Sequence, residues 1–485
     1  MRYLLVVFLF LNIIFGCVDD EVELWGNCYN IQETLILDLS NHELYEEIPP
    51  QIGELSNLIE LNLSLNELSG EIPVELCNLL NLTSLNLSNN ELSSQIPTEI
   101  GNLINLEYLF LYSNSLQGEI PIQISNLTNL SKLDLHNNQL SGEIPSQIGN
   151  LNNLEILFLY SNELSGQLPN ELGNLTGLSS LSLYNNFFSG EIPTQLTNIE
   201  NLIYLNLHNN ELIGEIPENI GNLNNLLYLD LGNNDLTGEI PSGIGNLYNL
   251  IELNLNLNNL NGSIPYEIGN LENLENLNLR NNELTGSIPT DIYNMQNLNY
   301  LSLRDNQIGG GLESEIGNLI NLEYLYLYNN ELTGEIPVEM SELVNLVHLY
   351  LHNNSFSGLL PNTIGNLINL TSLDISNNNF SGQIPDGICN QGDTTPQLEY
   401  NNFCFPYPSC LSDDSIGEQD ISDCECPDEF LGDLNYDSII NISDILILLS
   451  CILEDMDCNV CFDVDGNEDI NISDIIVLLN SILEN

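Results

Sequence analysis

The sequence predicts an α/β solenoid of stacked 24-residue coils, and three observations carry that expectation. An asparagine recurs every 24 residues from Asn66 to Asn378, fourteen times without insertion or deletion, and His42 holds the same slot one period earlier. Ahead of each asparagine stands a Leu-x-x-Leu-x-Leu run, such as Leu58, Leu61 and Leu63. Behind it comes Leu-x-Gly-x-Ile-Pro, as in Leu68, Gly70, Ile72 and Pro73, and then a second apolar pair such as Leu76 and Leu79. One such unit cannot bury its own leucines, so neighbours must stack.

Each part of the period has a physical reading. The Leu-x-Leu alternation is a short strand with both leucines inward and the intervening positions outward. At the inward turn that follows, the asparagine amide can serve backbone donors and acceptors that would otherwise stay unpaired, and losing one costs about 1–3 kcal/mol. Pro73 and its successors to Pro385 fix the backbone of the return segment, with one break at Glu313.

The pattern Leu-x-x-Leu-x-Leu-x-x-Asn-x-Leu-x-Gly-x-Ile-Pro resembles the plant-type 24-residue leucine-rich repeat, over roughly residues 29 to 390. The resemblance implies a leucine-rich-repeat solenoid with a curved parallel sheet, an irregular or 3-10 convex side, and ligands bound on the concave sheet. It implies no particular ligand. Plant receptors of this type continue into a membrane span and a kinase, and no kinase motif or Gly-rich phosphate loop occurs here.

Residues 1–16 carry Arg2 and an apolar run from Leu4 to Ile14, which reads as a secretory signal peptide too short to span a membrane. Ile14-Phe15-Gly16-Cys17 resembles a bacterial lipoprotein box, which would make Cys17 a lipid anchor. The favoured alternative is a Cys17–Cys28 disulfide capping the exposed first coil. The eleven cysteines cluster at the two ends, as in an oxidised secreted protein, while Cys77 stands alone as a buried thiol. Cys424-x-Cys426 and Cys458-x-x-Cys461 could suggest zinc, but with no histidine near, disulfides are the better reading. The formal charge of −65 repels nucleic acid and anionic membranes, and such self-repulsion suits a saline or calcium-rich habitat.

Outside the signal segment the only cations are Lys132, Arg280 and Arg304, and all three fall at outward strand positions that line the concave sheet. His136, His208, His348 and His352 do the same. These stripes also hold Tyr108, Phe110, Tyr112, Phe158, Tyr160, Tyr184, Tyr204 and Tyr228, then Tyr300, Tyr324, Tyr326, Tyr328 and Tyr350. Tyrosine is a good strand former, which explains part of the aromatic signal. It does not explain the cations, so the stripes read as a binding face for a glycan or a protein ligand. No nucleophile stands near the histidines at a special turn, and an enzyme is not expected.

After Cys389 the period stops, and residues 391–427 read as a Cys-containing cap and linker. Two matching segments follow, Asp433-Leu-Asn435-Tyr-Asp437 with Asp444, and Asp463-Val-Asp465-Gly-Asn467 with Asp474. Each places oxygen ligands at loop positions 1, 3, 5 and 12, the spacing of a calcium loop, with Ile439 and Asp469 at position 7 offering backbone carbonyls. Apolar helices are expected over 445–453 and 475–483. Residues 428–485 resemble a type I dockerin, departing from it at Ser438 and Glu468, where glycine is expected at loop position 6. The resemblance implies two calcium ions and docking onto a cohesin domain, with Ile442, Ser443, Ile472 and Ser473 at the partner-selecting positions 10 and 11. Their identity in both copies implies a docking surface usable in two orientations.

The expectation is therefore a secreted, non-catalytic, bacterial recognition protein, with a signal peptide at 1–16, a capped solenoid at 17–390 and a dockerin-like anchor. An accessory subunit of a polysaccharide-degrading assembly and a structural spacer are the alternatives.

Overall fold

The computed structural model describes residues 17–422, 424, 431–434, 439–454, 462–467 and 469–484. The signal-peptide reading of 1–16 lies outside them. The chain divides into two compact units, Met1–Asp235 and Leu236–Asn485.

The first unit opens on an antiparallel hairpin, Glu21–Leu24 with Asn27–Asn30, stapled by a Cys17–Cys28 disulfide. The cap expected for Cys17 is thus present, and the sulfur that a lipid would occupy is taken. Short strands follow once per coil, from Ile36–Asp38 to Tyr228–Asp230, paired parallel with each residue opposite the one 24 positions on, as in Tyr204↔Tyr228. Each strand spans only three residues. The second leucine of Leu-x-Leu lies just past its end yet stays inside, and Leu85 and Leu87 are both fully buried. Each such side chain contributes about 1.5–3 kcal/mol by leaving water.

The slot asparagine ties neighbouring coils together. Asn186 Nδ2 donates to Leu159 O at 3.1 Å and Leu183 O at 3.0 Å, while its Oδ1 accepts from Leu164 N at 3.0 Å. A second asparagine ladder, not recognised in the sequence, runs beside it. Asn81, Asn105 and Asn201 each donate to a carbonyl 25 residues earlier, and Gly177 interrupts the series. The residue just before each slot asparagine is left-handed, as at Ser161, Asn185 and Asn209, which explains the Asn and Ser found there.

On the flank, a further strand such as Glu163–Gln167 pairs with Phe187–Glu191. Gly166 has φ +79°, and a Cβ there would lie 2.6 Å from Glu143 Cγ, so glycine is favoured twice over, although Ser94 holds the same slot at φ +68°. The proline also does more than fix φ. It caps a 3-10 turn such as Asn170–Asn174, with Pro169 O accepting from Leu172 N at 3.0 Å. The expected 3-10 return side is therefore present in every coil of this unit.

The second unit repeats this plan, with strands from Glu252–Asn254 to Ser372–Asp374. At the break in the proline series, Glu313 caps the turn Ser314–Asn318 instead. One coil earlier, Tyr293 occupies a slot that usually holds glycine, and its ring is buried. Burial pushes the Tyr293 phenol up to about 12, tempered by the Glu313 backbone, although the hydroxyl makes no aligned hydrogen bond. Proline at 313 would have no N–H to turn toward it.

The cap extends the stack by one shortened coil, in which Asn401 takes the ladder role and strand Asn402–Cys404 pairs with Asn379–Gln383. Disulfides Cys389–Cys410 and Cys404–Cys424 close it. Cys77 is the buried free thiol expected. The zinc alternative loses Cys424 to a disulfide, and Cys426, Cys458 and Cys461 lie outside the described residues.

Two helices of equal length end the chain, Ile442–Glu454 and Ile472–Glu484. They begin three residues earlier than the sequence suggested, because Asn441 and Asn471 cap them through Oδ1, which accepts from Ser443 N and Ser473 N. Leu434, Leu448 and Leu478 form their shared core. Among the described residues, no helix is long and apolar enough to cross a membrane.

Candidate functional site

Outward strand positions repeat every 24 residues, so in-register pairing turns them into columns on the open face of the sheet. In the first unit one column is a continuous stack. Tyr112, His136, Tyr160 and Tyr184 lie ring over ring, with centroids 4.5, 4.2 and 4.4 Å apart and planes within 12° of parallel. Their faces cover one another, so the stack presents edges and hydroxyls to a ligand. Burial pushes the Tyr160 phenol up to about 12, with the Tyr184 and Asp134 charges adding to it. Beside the stack, Lys132 stands 5.8 Å over the Tyr108 ring, and Tyr108 stacks on Phe110. Phe158 touches Tyr160, and Tyr204 meets Tyr228 at 6.0 Å.

In the second unit a looser cluster joins Tyr300, Tyr324, Tyr326, His348 and Tyr350. The Tyr326 hydroxyl and His348 Nδ1 are 2.7 Å apart, and Tyr350 donates to Ser372 Oγ. Burial pushes Tyr326 up to about 12. At the edge of the cluster, Arg304 lies 5.0 Å over Tyr328, which stacks on His352 at 4.3 Å and meets Tyr350 at 6.2 Å. Arg280 stands one coil before Arg304, outside the aromatic cluster.

The sequence reading missed three aspartates. Asp134 hydrogen-bonds His136 Nδ1 at 2.6 Å. Asp230 lies 3.3 Å from His208 Nδ1 and Asp374 2.9 Å from His352 Nδ1. The first pair is legible as Asp-Leu-His, but in the other two the carboxylate comes 22 residues later, so only strand register brings it alongside. Burial alone would raise the Asp374 carboxyl, but hydrogen bonds from His352 and Ser376 hold it below its ordinary value.

In the C-terminal helical pair, Asp444 and Asp474 are fully buried. Asp474 accepts from Asp465 N and Asn471 N, and Asp444 likewise from Leu434 N and Asn441 N. Asp463, Asp465 and Asp474 bring carboxylate oxygens within 4.8 Å of one another. Two oxygens bound to one calcium ion lie at most about 5 Å apart, so this set fits the ion. No Lys, Arg or His follows His352 in the sequence. Asn467 and Asp469 lie in the same loop, Asp433 is buried, and Ile439 is exposed. Asn435, Asp437, Ser438 and Glu468 lie outside the described residues. Ile442 and Ile472 are 67 % and 66 % exposed, each heading a stripe: Leu446, Leu449 and Leu453 on one helix, Ile476, Leu479 and Leu483 on the other. The two stripes share the spacing i, i+4, i+7, i+11.

Comparison with known proteins matches this architecture. A leucine-rich repeat region model matches residues 85–202 and 186–288, and a leucine-rich repeat model matches 57–79, 297–319, 321–343, 345–367 and 369–391. The plant peptide hormone receptor RGFR1, solved in complex with RGF2, is 37 % identical over 78 % of this chain and 69 % of its own, with a TM-score of 0.63. The Arabidopsis receptor kinase HAESA, solved with the peptide hormone IDA and the co-receptor SERK1, is 35 % identical over 76 % of this chain and 66 % of its own, with a TM-score of 0.67. The Leptospira interrogans leucine-rich repeat protein LIC12759 is 36 % identical over 72 % of this chain and 92 % of its own, with a TM-score of 0.54. No curated protein matches the chain by sequence. The repeat models and the receptor ectodomains coincide with the stacked coils described above, and the chain belongs to the leucine-rich repeat family.

Proposed function

We propose that this is a secreted or cell-surface, non-catalytic recognition protein, whose sheet face binds an extended ligand and whose C-terminal helical pair anchors it. The observation that carries the reading is the gathering, within each unit, of the basic side chains and most of the aromatic rings of the coils onto the outward face of the sheet, in a chain of 69 carboxylates. Covered ring faces leave hydroxyls and ring edges for contact, which suits a hydrogen-bonding chain, whether glycan or polypeptide. The receptors named above were solved with peptide ligands, which supports the polypeptide side.

The anchor is read as a type I dockerin-like module holding two calcium ions and docking a cohesin. The convergence of Asp463, Asp465 and the fully buried Asp474, with oxygens within 4.8 Å of one another, supports a cation. The matched exposed stripes support a docking face usable in two orientations. An accessory role in a polysaccharide-degrading assembly would follow if the cohesin partner belongs to one.

The face is tested by replacing Tyr324, Tyr326, Tyr328 and Arg304 with Ser and screening the full chain on glycan and peptide arrays. Loss of the wild-type signal with an unchanged melting temperature is expected. Asn330→Ala should do the reverse, destabilising by about 1–3 kcal/mol. Equal destabilisation by both sets would mean that the rings only fill the sheet.

A further inference from the structure

Arg280 is an arginine without a carboxylate partner among the described residues, in a chain where Asp and Glu total 69 and Lys and Arg 4. Its Nε is buried and finds no acceptor. Two neighbouring polar groups on the same face are in the same condition. Asn256, one coil earlier in the same column and 4 % exposed, leaves Oδ1 unpaired, and Ser302, one coil later and fully buried, leaves Oγ unpaired. Arg304 follows Arg280 in the column, and its contact with Asp305 is loose, at 3.8 Å. Buried polar groups are nearly always paired, so three orphans around two guanidinium groups indicate a missing partner.

We propose that Arg280 and Arg304, with Asn256 and Ser302, form a carboxylate subsite, and that it takes the carboxylate of a sugar acid within a sparsely charged glycan. The inference rests on the reading of the sheet face as ligand-binding and narrows the ligand. A guanidinium fork matches a planar carboxylate in two parallel hydrogen bonds, and a guanidinium whose Nε–H has no acceptor loses nothing by turning to one. Beside the two arginines stand Asn254, Asn276 and Asn278, amides that both donate and accept and so match sugar hydroxyls, with Glu252 on the far side of Asn276 from Tyr300. The nearest rings, Tyr300 opposite Asn276 and Tyr328 under Arg304, stand at the border of the subsite. A polyanion would be repelled by the field of a chain of net charge −65, whereas an isolated carboxylate among neutral hydroxyls meets mainly the local cations.

The test uses the chain's scarcity of arginine. Labelling arginine with ¹⁵N in the full chain gives at most three Nε–H signals, from Arg2, Arg280 and Arg304, and Arg280→Lys and Arg304→Lys assign them. Sodium glucuronate should move the Arg280 signal saturably, at lower concentration than acetate or N-acetylglutamate, and glucose should not move it. Arg280→Lys should weaken glucuronate about tenfold, read at the Arg304 signal, because the fork is lost although the charge remains. Absence of a saturable shift with every carboxylate overturns the subsite. Tighter response to N-acetylglutamate overturns the sugar acid in favour of a polypeptide carboxylate. If the arrays still show binding that depends on the Tyr324 cluster while Arg280 ignores carboxylates, the face stands and the subsite alone falls.

Discussion

At the scale of single residues, most positions repeat and the departures are the informative ones. Tyr293 and Glu313 depart together: a ring enters a glycine slot, and one coil later a proline gives way to a residue with a backbone N–H. We expect Glu313→Pro, which restores the repeat pattern, to destabilise the chain by about 1 kcal/mol despite stiffening it, because the buried phenol loses the polar group that faces it. In a Tyr293→Phe background the same change should be neutral or stabilising. Urea denaturation of the four variants measures the coupling, and additive effects would show that the two departures are unrelated.

At the scale of elements, the flank shows how a highly acidic solenoid limits repulsion between coils. From Gln95/Glu99 through Glu119/Gln123, Glu143/Gln147, Gln167/Glu171 and Glu191/Gln195 to Glu215/Asn219, each coil carries one carboxylate across two adjacent columns. Like charges directly opposite in a sheet are destabilising, and the interspersed amides leave such neighbours in these columns only at Glu119 with Glu143 and Glu191 with Glu215. The helical pair poses the opposite case, with carboxylates gathered and buried. Chelating calcium from the full chain should therefore lower its far-UV helix signal, and adding calcium back should restore it, as binding to the folded state stabilises it. An Asp474→Ala, Asp444→Ala variant should lack the response, and a chelation-insensitive wild type would end the calcium reading. Docking should be redundant: Ser443→Asp or Ser473→Asp alone should cost a cohesin from the same organism little affinity, and the pair together most of it. Complete loss on either single change would refute the two-orientation surface.

At the scale of the whole molecule, alkaline pH acts through buried phenols, because the surface carboxylates are already ionised there. Tyr160, Tyr293 and Tyr326 are all pushed by burial up to about 12 from an ordinary value of 10.0. Between those values the unfolded chain releases protons that the folded chain keeps, so stability is full below pH 10 and falls as pH rises toward 12. Thermal melts across that range should show the decline, and Tyr293→Phe should shrink it. A flat profile would mean that these rings open to water without cost.

The sequence by itself determined the coil, its length, its inward leucines, the bridging asparagine and the face on which the rings and cations lie, because a strict 24-residue period with parallel register maps sequence position directly onto surface position. It also placed the loop-helix pair at the chain's end. Only the tertiary structure decided what happens between coils. The partnership of His208 with Asp230, the burial of ring faces in the Tyr112 stack and the second asparagine ladder join residues 22 to 25 positions apart, and these contacts, like the orphaned Arg280 Nε, depend on side-chain rotamers that no local pattern specifies. The helix starts moved for a similar reason. Asn441 and Asn471 read as loop residues by spacing, and become caps once their side chains meet the amides that follow.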